Sequence, residues 1–188
     1  MTTTRFQSSP LSFISQSPEE SRHHGARLTR AWAEEDSEGA PLPILLIGEL
    51  GAGKTVLVKG LAEGLGLSGE AVSSPTFVLA NQYACPDGRF LHHVDFYRLE
   101  SFAELEEMGF FELGGARTVL VVEWGDRFHD ALAPDRLEVR IRRGGEGRPD
   151  ERLFSVEATG PISERQLEQW RQALTSSGVE IESDPSRQ

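Results

Sequence analysis

Eight residues, Gly48-Glu49-Leu50-Gly51-Ala52-Gly53-Lys54-Thr55, follow the spacing G-x-x-x-x-G-K-[ST]. That pattern binds phosphate. Its glycines let the backbone wrap around phosphate oxygens where a Cβ would obstruct the required dihedrals. The amides of Glu49, Leu50, Gly51, Ala52 and Gly53, at the start of a new helix, would face an anion together with the positive end of the helix dipole. Lys54 adds a point charge near the β/γ-phosphates, and the Thr55 hydroxyl is a ligand for Mg²⁺. Further along, Glu123 closes the apolar run Val119-Leu120-Val121-Val122. A carboxylate at the tip of a buried strand downstream of such a loop is placed to hold Mg²⁺ directly or through water. Trp124 follows it, in a position to cover a nucleotide or to cap the core. Asp95 sits in His92-His93-Val94-Asp95-Phe96-Tyr97-Arg98, with Val94 and Phe96 on the opposite face of an alternating strand. A lone buried acid needs a partner, and Mg²⁺, a water near the γ-phosphate or Arg98 would each serve. Thr76, in Ser74-Pro75-Thr76, follows the loop's helix, where it either reaches the γ-phosphate or metal or simply stiffens a connection. The catalytic candidates are therefore Lys54, Asp95 and Glu123, with Thr55 and Glu123 as metal ligands. His92 and His93 read as structural or exposed, and His23 and His24 as surface residues of a helix.

Positioning these residues requires a strand before the loop and a helix after it. Leu42-Pro43-Ile44-Leu45-Leu46-Ile47 is short and apolar enough for a buried parallel strand. Val56, Leu57, Lys59, Gly60, Leu61, Ala62 and Leu65 keep a helical rhythm. Upstream, Leu11 to Ile14 reads as a short edge strand. Ser17-Pro18-Glu19-Glu20 opens a helix to about Glu35, with Ser17 as N-cap, Pro18 at the first helical position and Glu20 completing a capping box. Asp36 to Pro41 reads as a turn. Phe77 to Ala84 and Arg89 to Tyr97 read as a hairpin around Pro86-Asp87-Gly88. Ser101 to Met108 reads as a short helix, Thr118 to Val122 as a second buried strand, Leu137 to Arg142 and Leu153 to Ala158 as an antiparallel pair, and Ser163 to Leu174 as a last amphipathic helix. The expectation is one domain over residues 11–175, an α/β fold with flexible tails at 1–10 and 176–188.

Composition narrows the function classes. The formal net charge of −11 argues against this chain gripping a nucleic-acid backbone, which needs clustered cations, and suits an acidic protein that docks on a partner. The chain has two lysines, Lys54 and Lys59, against seventeen arginines, so a lysine in the phosphate loop is pointed. Arginine's planar fork fits such a pocket poorly. No apolar run approaches the ~18 residues of a membrane span, and the first residues lead into no signal-like segment. Cys85 is the single cysteine, which excludes an internal disulfide and fits a reducing cytoplasm. A small-molecule or nucleoside kinase would share the loop and the metal acid. Its only lid candidate is the glycine loop at 144–147 with Arg142, Arg143 and Arg148. A GTPase would need [NT]-K-x-D, which is absent, and a non-hydrolysing binding module would use the nucleotide for structure alone.

Taken together the segments Gly48 to Thr55, Ser74-Pro75-Thr76-Phe77, His93-Val94-Asp95-Phe96-Tyr97-Arg98-Leu99, Glu104-Leu105-Glu106-Glu107-Met108-Gly109 and Val122-Glu123-Trp124 resemble the TsaE (YjeE) family. The likeness covers about residues 13 to 160. The phosphate loop is common to many ATPases and GTPases, whereas the Asp-Phe-Tyr-Arg-Leu and Val-Glu-Trp segments are far more specific. The resemblance implies a P-loop NTPase-like mixed sheet flanked by helices. It also implies a weak Mg²⁺-dependent ATPase that, with TsaB- and TsaD-like proteins, supports N6-threonylcarbamoylation of adenosine 37 in tRNAs reading ANN codons. In that family's terms Thr55 and Glu123 hold Mg²⁺, Asp95 is needed for hydrolysis, Thr76 lies in a switch-like loop, and Trp124 sits by the nucleotide. The start of the first helix, Ser17 to Glu20, lies near the base. A late arginine approaches the nucleotide, Arg148 being the first candidate and Arg152 its competitor.

Overall fold

The computed structural model describes residues 9–34 and 42–182. Seven strands form one mixed sheet: β1 (Leu11–Ser15), β2 (Leu42–Ile47), β3 (Ala80–Ala84), β4 (Phe90–Asp95), β5 (Thr118–Glu123), β6 (Leu137–Arg143) and β7 (Arg152–Ala158). Their order is β1-β7-β6-β2-β5-β4-β3. The inner four, β6, β2, β5 and β4, run parallel, and the outer strands are antiparallel to their neighbours. The expected apolar runs are the buried parallel strands, as sheets covered on both faces require. The antiparallel hairpin of the late strands and the edge position of Leu11 to Ile14 follow the sequence reading.

Alternation along β2 separates two cores. Leu42, Ile44 and Leu46 face the helices α1 (Pro18–Glu34), α2 (Lys54–Gly64) and α4 (Pro161–Ser176), in a core with Phe13, Trp32, Leu57, Leu61 and Trp170. Leu45 faces the other way, toward Val94, Phe96, Leu105, Phe110 and Val122, beneath α3 (Phe102–Glu107). The start of α1 is capped as its residues dictate. Ser17 Oγ accepts from Glu20 N at 3.1 Å, while the Glu20 carboxylate accepts from Gln16 N at 2.6 Å, one residue earlier than a standard capping box. Ser101 caps α3 in the same way. The expected turn from Asp36 to Pro41 lies outside the described residues, as do positions 1–8 and 183–188.

The strand expected from Phe77 is corrected. Phe77 to Leu79 is not strand: Val78 N and Leu79 N both turn back to Pro75 O, and Leu79 has φ +67°. After α4 the first six residues beyond it lie against the fold. Val179 N bonds to Leu174 O, Val179 and Ile181 pack on the core, and Glu182 N reaches Ser12 O at 2.8 Å.

His24 is not a surface residue. It is 1% exposed, it packs edge-on to Phe13, and neither ring nitrogen has a hydrogen-bond partner among the described residues. It occupies the buried stripe of α1 that Ser21, Leu28 and Trp32 share, at helical spacing. Burial lowers its pKa to about 4; Arg27 and His23 push the same way, and Glu20 opposes them. The folded value lies below the ordinary 6.5, so this contribution to stability is complete above pH 6.5 and is lost as pH falls toward 4. The shift corresponds to about 3 kcal/mol. Urea unfolding at pH 7 and pH 4.5 is expected to show wild type losing about 2 kcal/mol more than His24→Leu, most of the full shift. Equal losses in the two proteins would contradict it.

Candidate functional site

The site forms at the C-terminal ends of β2, β5 and β4, the edge of an α/β sheet where ligands bind. Leu46 is in register with Glu123, and Glu123 with Asp95, so the loop and both acids lie side by side. A cleft of about 300 Å³ is lined by Leu50, Gly51, Gly53, Lys54, Thr55, Val56, Ser74, Thr76, Asp95, Tyr97, Glu123, Trp124 and Arg152.

Gly53, which caps α2, has φ +104°, a backbone that a side chain would strain and that turns the loop into the helix. Lys54 is buried. Its Nζ donates to Gly48 O at 2.7 Å and Glu49 O at 3.0 Å, and lies 3.9 Å from the centroid of the Trp124 ring. Burial lowers its pKa from the ordinary value, while Glu123, Asp95 and Asp126 pull the other way. Thr55 Oγ1 donates to Glu123 Oε1 at 2.8 Å, bringing together the two expected metal ligands from positions 68 residues apart. Both are hard oxygen donors, of the type Mg²⁺ takes.

Asp95 is buried and doubly occupied: Oδ2 accepts from Thr76 Oγ1 at 2.5 Å and Oδ1 from Tyr97 N at 2.8 Å. Thr76 Oγ1 also lies 2.7 Å from Ser74 Oγ. Asp95 thus ties the loop after Ser74 to the cleft wall, while Arg98 stacks instead on Phe77, its guanidinium 4.4 Å from the ring centroid. Trp124 takes a left-handed backbone, φ +59°, pinned by its N–H to Leu46 O at 3.0 Å. A non-glycine residue there costs about 1 kcal/mol or more, and the turn delivers the indole to Lys54.

Glu49 and Ala52 do not line the cleft. Glu49 O is held by Lys54, and the Ala52 side chain is buried in the core. Of the two competing arginines, Arg152 lines the cleft and donates from Nε to Ala52 O at 2.9 Å. Arg148 does not; its side chain pairs with Glu151. Ser17 to Glu20 do not line the cleft either. Glu20 borders a separate cavity with His23, His24 and Arg27.

Three contributors escaped the sequence reading. Tyr97 and Val56 line the cleft. His93 is fully buried, with Nε2 at 2.8 Å from Glu123 Oε1. Strand alternation carried the signal, since His93 shares the face of Asp95, two residues on.

Among the described residues no helix is long and apolar enough to cross a membrane. A family model described as threonylcarbamoyl adenosine biosynthesis protein TsaE matches residues 15–152. The chain is 38% identical over 151 residues to the tRNA threonylcarbamoyladenosine biosynthesis protein TsaE of Bacillus subtilis, covering 80% of this chain and 87% of that protein. It is 46% identical over 119 residues to the protein of the same name from Streptomyces coelicolor, covering 62% of this chain and 78% of the other. The crystal structure of Bacillus subtilis YdiB superposes with a TM-score of 0.64 at 32% identity, over 87% of this chain and 95% of that one.

Proposed function

The chain belongs to the TsaE family and has its role in tRNA threonylcarbamoyladenosine biosynthesis, and we propose that it does so as a weak Mg²⁺-dependent ATPase. It acts with TsaD-like and TsaB-like proteins in the cytoplasm, in the modification of adenosine 37 of tRNAs that read ANN codons. The observation that carries it is the Thr55–Glu123 hydrogen bond at the foot of the phosphate loop. It joins a hydroxyl and a carboxylate, the donor pair that holds a nucleotide's metal in P-loop enzymes, and so supports the reading.

Mg²⁺, when bound, would neutralise charge on the phosphate oxygens. The chain's own residues do the rest. The loop amides and Lys54 stabilise negative charge on the transferred phosphoryl. Glu123, whose Oε1 is engaged by Thr55 and His93, holds the metal side of the cleft. Asp95, by gripping Thr76, fixes the loop that lines the cleft with it, which supports a positioning role in hydrolysis. Arg152 steadies the phosphate loop through Ala52 O. The kinase alternative relies on mobile arginines over the cleft. Arg143 instead donates to Leu50 O at 2.9 Å and Arg148 pairs with Glu151, which weighs against a lid.

The acidic chain, at formal net charge −11, is suited to a protein partner and ill suited to holding tRNA itself. ATP turnover measured with the purified chain, then with the TsaB and TsaD proteins of the same organism, is expected to rise at least several-fold in the mixture. No stimulation and no complex would contradict the partner-dependent reading.

A further inference from the structure

We propose that His93 is a positioning residue for Glu123, orienting its carboxylate so that Oε2 is the oxygen offered to the metal; this rests on the Mg²⁺-nucleotide reading above. His93 lies in β4, with no exposed surface, and its Nε2 is 2.8 Å from Glu123 Oε1. Thr55 Oγ1 donates to the same oxygen, also at 2.8 Å. Two donors converging on Oε1 fix the carboxylate's rotation about its last bond. Oε2 has no hydrogen-bond partner among the described residues and keeps some exposed surface. Glu123 lines the cleft, so Oε2 is its free acceptor there.

The other ring nitrogen argues against a space-filling role. His93 Nδ1 is buried and has no partner among the described residues. An orphaned polar atom in the interior costs roughly 1–3 kcal/mol, and β4 holds apolar residues at neighbouring buried positions, Leu91 and Val94. An aliphatic side chain at position 93 would avoid that cost. Among the described residues the imidazole's polar contact is the acid at the tip of β5, and a hydrogen-bond donor to that acid is what an aliphatic side chain lacks. Groups that orient a metal-ligating side chain typically change metal affinity by about 10–100-fold when removed.

The test compares wild type, His93→Leu and His93→Gln, whose amide reaches the position of Nε2. Mn²⁺ binding in the presence of ADP is read from the EPR signal of free Mn²⁺. ADP binding in EDTA is read from the fluorescence of Trp124, the tryptophan in the cleft, Trp32 and Trp170 being buried in the core. Thermal melting is followed in parallel. His93→Leu is expected to weaken Mn²⁺ binding about tenfold or more, with ADP affinity in EDTA changed less than twofold. His93→Gln is expected to restore most of the Mn²⁺ affinity. If the leucine variant fails to fold, His93→Asn, polar but too short to reach Glu123, is expected to show the same weakened metal binding. Unchanged Mn²⁺ affinity in His93→Leu or His93→Asn would overturn the proposal, as would equal losses in the Gln and Leu variants. Wild-type protein that binds ADP but no Mn²⁺ would overturn the metal reading itself, and the proposal with it.

Discussion

Replacing Lys54 by alanine is expected to lower single-turnover ATP hydrolysis by a factor of about 10³, the largest activity effect of any single change in the cleft. Removing one fixed donor from a water-poor site typically costs 10²–10³-fold, and Lys54 brings a full charge as well. Its ammonium is buried, held between Gly48 O and Glu49 O and above the Trp124 indole. The slot suits a slim cation, so Lys54→Arg is expected to rescue little. Glu123→Gln and Asp95→Asn are expected to cost less, about 10–100-fold. The first keeps an oxygen for Thr55, and the second keeps an acceptor for Thr76 or Tyr97 N. Release of labelled phosphate under single-turnover conditions ranks the three. Comparable losses would show that charge stabilisation by Lys54 is not the leading contribution.

Gly60→Ala is expected to destabilise the protein by about 2 kcal/mol or more, lowering its melting temperature by about 4–8 °C. On an isolated helix the same change would gain up to about 1 kcal/mol. Here α2 packs so closely on α1 that a Cβ at Gly60 would lie 2.7 Å from the Arg22 Cα and nearer still to its carbonyl oxygen. Both obstacles are backbone, so no rotamer change relieves them, and the clash outweighs helix propensity. Gly25 and Gly64 make the same close approach to the facing helix, at Leu57 O and Ala26 O. Because α2 begins at Lys54 and Thr55, forcing the helices apart would also displace the phosphate loop, and weaker nucleotide binding should accompany the lower melting point. An unchanged or raised melting temperature would contradict this packing.

What the sequence made legible follows from local physics. The phosphate loop, the strand before it and the helix after it are contiguous, and their residue types leave little choice. Glu123 was identifiable because an acid ending an apolar run, ordinary alone, gains a role when a phosphate loop lies upstream. Alternation in β4 placed Asp95 opposite Val94 and Phe96, and carried back to position 93 it would have put His93 on the same face as Asp95. What local reasoning missed is non-local. Nothing near Leu11 says that β1 pairs with β7, some 140 residues later, or that β6 inserts beside β2. The strand expected from Phe77 fails because Pro75 O captures two successive amides and Leu79 turns left-handed. Arg148 and Arg152 differ by four positions in a glycine-rich hairpin. Only the β6–β7 register, with Arg152 opposite Arg143, brings Arg152 to the phosphate loop.

The fate of the γ-phosphoryl tests the central claim most directly. Wild-type protein incubated with γ-labelled ATP and Mg²⁺, beside a panel of small-molecule and nucleoside acceptors, is expected to release all transferred label as inorganic phosphate. That release should be lost in EDTA and in Thr55→Ala. Label appearing on any acceptor, or phosphate release that ignores Mg²⁺ and Thr55, would contradict the account.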